Sequence, residues 1–116
     1  MANEAAIFIG WTRPFPGRER DAMELLPQVL GFLGKAQAAK RIESFEPVML
    51  LPHGGDLNGF ILVRGDQAQV DKLAQADDWQ DLMAHGMYVL QGFGNVPGVI
   101  GEGIQKRMQK LGKFIR

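Results

Sequence analysis

A chain of 116 residues, 46% apolar and 22% charged, has the make-up of one globular domain that can bury roughly 65% of its unfolded surface. It contains no cysteine, which excludes disulfides, Cys-ligated zinc, iron–sulfur clusters and thiol nucleophiles. The net charge of zero is unevenly spread: residues 105–116 carry five cations and no acid, while the remainder sets eight basic against thirteen acidic residues.

The first residues have neither the basic region nor the apolar core of a signal peptide. No run approaches the about 18 apolar residues of a membrane span, so the chain reads as cytoplasmic. Ala5–Trp11 (AAIFIGW) is the first strand. Pro14, Pro16 and Gly17 make a loop after it. Leu25, Leu26, Val29, Phe32, Leu33 and Ala36 then follow helical spacing within a helix over about residues 18–41. Pro27 is expected to kink or restart that helix, and Gly31 and Gly34 to mark close packing against a sheet.

Two strand-like runs follow, at residues 43–51 and 57–63, joined by the turn chemistry of Pro52-His53-Gly54-Gly55-Asp56. Pro47 makes the first of these an edge strand or puts a bulge in it. The run Phe60-Ile61-Leu62-Val63 has no polar interruption. A half-solvated strand would alternate, so this sheet is expected to be covered on both faces. A chain this short supplies one cover of helices, and a second subunit is the natural source of the other. Asp66 reads as the N-cap of a second helix, over about residues 67–85. That helix is interrupted at Asp77-Asp78, with Asp77 capping the new turn, and is stopped by Gly86. Residues 87–92 (MYVLQG) read as the fourth strand, and the glycines from Gly92 to Gly101 as a flexible segment. A last helix, about 102–114, shows a narrow stripe of Ile104, Met108, Leu111 and Ile115.

The order β-α-β-β-α-β plus a C-terminal helix is the ferredoxin-like order, with a four-stranded antiparallel sheet and both main helices on one face. The single domain spans residues 1–116, with 99–116 as a helical extension. That order, the passage of helix into strand at Lys40-Arg41-Ile42-Glu43-Ser44-Phe45-Glu46-Pro47, and the break before an aromatic in Leu73-Ala74-Gln75-Ala76-Asp77-Asp78-Trp79 resemble small bacterial members of the dimeric α+β barrel superfamily. The resemblance implies a homodimer joined through its sheets, each barrel leaving a pocket. Relatives of that superfamily include muconolactone isomerases and antibiotic-biosynthesis and haem-degrading monooxygenases. A shared fold does not carry one chemistry.

The pocket candidates are Trp11, Glu46, His53, Phe60 and Arg64. Parity puts Arg64 with Asn58, Phe60 and Leu62 on one face of its strand, and leaves Gly59, Ile61 and Val63 for packing under helices. Arg64 on the barrel side would meet an anion or carbonyl group. Glu46 is a base if it lies among apolar neighbours, and an ion-pair partner if it meets Arg64. His53 in its turn can act as acid, base or ligand, or stand in solvent. His85 at a helix end suits the helix dipole. Trp11 and Phe60 are the apolar walls. The two histidines show no metal-ligand spacing, the glycine clusters lack phosphate-loop signatures, and a single serine argues against a nucleophilic triad, so no metal or cofactor is expected.

The resulting expectation is a homodimeric small-molecule-binding protein. The resemblance extends this to a cofactor-independent isomerase or monooxygenase acting on an aromatic or polyketide-like compound. The alternative is a non-catalytic interaction or regulatory module in which the dimer itself is the functional object. Nucleic-acid and membrane partners are not expected: the basic C-terminal residues read as a solvated helix face.

Overall fold

A computed structural model of the chain describes residues 4–115. Four strands form one antiparallel sheet in the order β3-β4-β1-β6: β1 is Ala5–Trp11, β3 Ser44–Met49, β4 Gly59–Gly65 and β6 Gly94–Val99. A two-residue strand β2, Arg13–Pro14, pairs with β5, Leu90–Gln91, beside it. The helices are α1 (Glu19–Ala38), α2 (Gln67–Ala74), α3 (Asp77–Val89) and α4 (Glu102–Gly112).

The alternation along β4 shows how the sheet divides inside from outside. Gly59, Ile61, Val63 and Gly65 are buried, and the residues between them are half-buried. In register with them, Ile7 and Ile9 of β1 point the same way. Leu25, Val29 and Leu33 of α1, Val70 and Leu73 of α2, and Trp79, Met83 and Val89 of α3 close over these residues to form the core. Trp79 is 1% exposed and packs its ring 5.6 Å from that of Phe32. The sheet therefore has one helix-covered face and one open face, as parity requires.

Local signals set several boundaries. Asp66 caps α2 in a reciprocal box: its carboxylate accepts from Gln69 N–H at 2.8 Å, and Gln69 Oε1 accepts from Asp66 N–H at 2.9 Å. The break between α2 and α3 falls where the acidic pair predicts it, although Ala76 rather than Asp77 holds the cap position. Pro47 lies in an edge strand without a bulge, because β3 and β4 pair evenly from Ser44↔Arg64 to Met49↔Gly59. Helix α1 runs through Pro27 as one element.

Two expectations are corrected. The fourth strand of the sheet is Gly94–Val99, not residues 87–92; α3 continues to Val89, and the chain reverses at Gly92 with φ +64° before returning beside β1. The local β propensity of Met-Tyr-Val-Leu loses to α3 packing, and a segment poor in propensity becomes a strand because β1 supplies its ladder. The glycine roles are also exchanged. A Cβ on Gly31 or Gly34 would meet nothing within 4 Å, so neither marks close packing. Gly86 does: inside α3, its missing side chain admits the Phe93 ring, whose Cζ would lie 2.7 Å from a Cβ there.

Candidate functional site

The open face of the sheet gathers most of the predicted pocket residues. Register places Ser44, Glu46 and Val48 of β3, Phe60, Leu62 and Arg64 of β4, Ala6 and Phe8 of β1, and Val96 of β6 on it. Phe8 and Phe60 stack with ring centroids 5.2 Å apart. Gly10 beside them has no side chain because the Phe8 ring occupies that space, 2.6 Å from where a Cβ would stand. Val96 is 53% exposed, and Phe8, Val48, Phe60 and Leu62 are half-buried, so this apolar surface has no cover within the protomer.

One ion pair interrupts the surface. Both terminal guanidinium nitrogens of Arg64 donate to Glu46 Oε1 at 3.3 Å. Glu46 Oε2 takes no part in this pair, so the geometry is looser than a bidentate fork. In the open protomer such a pair contributes about 0–1 kcal/mol. Under a second cover it would lose water on both members, and the unused carboxylate oxygen would need a partner. Arg64 and Glu46 thus sit together on the open face of the sheet.

The other two candidates lie elsewhere. Trp11 pairs with Gly59 on the helix-covered face, where its ring occupies the space above that glycine, and its carbonyl accepts from Asn58 N–H at 2.9 Å. It closes the end of the core and anchors the 50–58 loop; it does not line the open face. His53 is used by that same loop. Its Nδ1 accepts from Gly55 N–H at 3.1 Å, which leaves Nε2 as the donor to Leu57 O at 2.7 Å. The loop leaves the sheet at the Gly59 end, roughly 17 Å along β4 from Arg64 at the strand rise. Neither ring nitrogen is free for chemistry near the ion pair. Residues that were not among the pocket candidates, Phe8, Val48, Leu62 and Val96, carry most of the open face. Period two was enough to find the first three; Val96 lay in the segment read as flexible.

One perturbed ionisable pair is structural. The side-chain hydrogen bonds from Arg41 hold the Asp78 carboxyl below its ordinary value, and the Arg41 guanidinium is raised in turn by the same bonds, at 2.9 and 3.0 Å. They tie the end of α1 to the start of α3. His85 lies nearby in a shallow groove with Gln28, Phe32, Asp78, Asp81 and Leu82. On the helix-covered side, an apolar cleft of about 260 Å³ opens between β6 and α2–α3, lined by Ile7, Val70, Trp79, Met83 and Pro97 with Asn95 and Gln80. It holds no ionisable group and is the seam where α2 and α3 do not fully cover the edge strand. Among the described residues no three His, Asp or Glu side chains converge as a metal site, and no helix is long and apolar enough to cross a membrane.

No protein-family model matches the sequence, and no curated protein matches it significantly. Among solved structures, the chain is similar to a dimeric protein of unknown function and ferredoxin-like fold from Bacteroides fragilis NCTC 9343, with TM-score 0.63 and 8% identity over 84% of this chain and 96% of that one. It is equally similar to a dimeric ferredoxin-like protein of unknown function from Jannaschia sp. CCS1, with TM-score 0.63 and 12% identity over 84% and 98% of the two chains. At these identities the likeness establishes the ferredoxin-like α+β fold of this chain.

Proposed function

We propose that the chain acts as a homodimer joined through the open sheet face, and that the resulting barrel holds a small molecule between the Phe8–Phe60 stack and the Arg64–Glu46 pair. The observation that carries this reading is an uncovered apolar sheet face with a single ion pair set into it. A monomer would leave that face in water as a patch of the size that marks an interaction site. Both edge strands carry a proline, Pro47 in β3 and Pro97 in β6, which disfavours growth of the sheet by strand addition and leaves the face as the route of association. The two structural neighbours are themselves described as dimeric.

The ligand class follows from the lining. An aromatic or polyketide-like body fits against the phenylalanines, and a carboxylate or polarised carbonyl fits Arg64. Glu46 Oε2 is then the one group placed to accept a proton, which is the finer reading of a cofactor-independent isomerase or monooxygenase. A specific observation favours the alternative, a non-catalytic interaction module: the Arg64 guanidinium is already engaged by Glu46 Oε1, and His53 is consumed by its loop.

A thermal-shift panel of aromatic carboxylates and their neutral amides separates the two. Carboxylates that raise the melting temperature of the wild type but not of Arg64→Met support the pocket. No shift with any member, in a protein that is dimeric, supports the interaction module.

A further inference from the structure

Helices α1, α2 and α3 turn their apolar stripes into the core; α4 does not. Ile104, Met108 and Leu111 of α4 are 48%, 59% and 48% exposed. Its own protomer meets it on another side. Gly103 is buried against the Glu4 carbonyl, Lys106 pairs with Glu4 at 2.7 Å, and Arg107 and Lys110 line a shallow cleft shared with Gln67 and Val99. The stripe therefore projects from the compact body. The radius of gyration, 15.6 Å, exceeds the about 13 Å expected for a chain of this length.

Three features narrow what covers it. Within α4 the steps of four and three between Ile104, Met108 and Leu111 give a seam roughly 60° wide, which fits a groove between side chains of a folded partner better than the broad apolar face that a bilayer takes up. The charge asymmetry is complementary between copies: residues 105–116 carry +5 and the rest of the chain −5. A second α4 would be repelled, whereas the body of a second chain would attract it. The area needed also points to a second copy. Four strands of up to seven residues make a sheet face of about 450 Å². A standard interface buries about 800 Å² of accessible surface on each partner, and the α4 seam adds apolar surface to what the sheet face supplies.

We propose that α4 is an arm whose apolar stripe docks on the body of a second copy of this chain. The inference rests on the homodimer proposed above and adds a second contact to it. The arm leaves the edge strand β6 beyond Val99.

The absence of cysteine permits a direct test. Leu111→Cys, or Met108→Cys one turn earlier, carries a unique thiol for a maleimide–benzophenone photocrosslinker, with Gln109→Cys on the polar side as the control. An equal mixture of ¹⁵N-labelled and unlabelled protein is irradiated and the products are weighed. The expected result is a product of twice the 12.8 kDa chain mass, with mixed-isotope species, several-fold more abundant from position 111 or 108 than from 109. Crosslinks confined to one chain, equal yields from all three positions, or no doubled product would overturn the inference. So would protection of the stripe by anionic vesicles alone. A wild-type protein that scatters as a dimer while showing any of these results loses the arm but keeps the sheet-face dimer.

Discussion

The exchange of roles among the glycines has measurable consequences of opposite sign. Gly34 and Gly86 both lie inside helices, where replacing glycine by alanine gains about 1 kcal/mol of helix propensity. At Gly34 an added Cβ meets nothing within 4 Å, so Gly34→Ala keeps the full gain. At Gly86 the same Cβ would stand 2.7, 2.8 and 3.1 Å from three carbons of the Phe93 ring. Such overpacking typically costs 1–3 kcal/mol, which cancels or exceeds the propensity gain and leaves a net loss of about 1 kcal/mol. For a domain of this size 1 kcal/mol moves the melting temperature by about 4 °C. Melting followed by circular dichroism should therefore rise by about 4 °C for Gly34→Ala and fall by about as much for Gly86→Ala. The double variant Gly86→Ala/Phe93→Leu, which clears the ring, should recover part of the loss. A Gly86→Ala protein that melts above wild type would refute the reasoning: Gly86 would be an ordinary helical glycine, and Phe93 packing would not explain why α3 continues past it.

Three further outcomes follow from the structure. Asp66→Ala removes the carboxylate that caps α2 and should cost about 1 kcal/mol in urea unfolding, while Asp66→Asn should cost little; equal losses would deny the cap its role. The Arg41–Asp78 link stabilises the fold above the ordinary carboxyl value of 3.8, because the folded carboxyl is depressed, and loses that contribution as pH falls through the depressed value. Wild type should accordingly melt above Asp78→Asn at pH 7, and the gap should close in acid; a gap that stays constant to pH 2 would exclude the linkage. Arg64→Met should change the stability of the dissociated protomer by less than about 1 kcal/mol, because the pair with Glu46 is solvent-exposed there, and a larger loss confined to concentrations at which the dimer forms would mean that the second copy buries the pair.

How much of this was legible in the sequence depends on the period of each segment. In β4 the uninterrupted Phe60–Val63 run and Arg64 fixed two faces by parity alone, and the even pairing through Pro47 kept Glu46 on the side of Arg64. Asp66 was readable because capping is local chemistry, whereas the Asp77-Asp78 break was placed correctly although Asp77 does not cap α3. The segment 94–99 was not readable. Its Gly-Asn-Val-Pro-Gly-Val sequence has little strand propensity, and only the distant β1 makes it a strand. Strand parity puts Trp11 on the helix-covered face, but its position at a strand end next to a proline-rich loop read as that of a pocket wall. The engagement of both His53 nitrogens within one turn depends on side-chain geometry that no residue spacing encodes.

The central claim is that the open sheet face joins two copies, and static light scattering tests it most directly. At ~50 μM, where an obligate dimer persists, wild type should show twice the 12.8 kDa chain mass, and Leu62→Asp on the open face should shift the mass toward one chain. A wild-type mass of 12.8 kDa at that concentration would contradict the account.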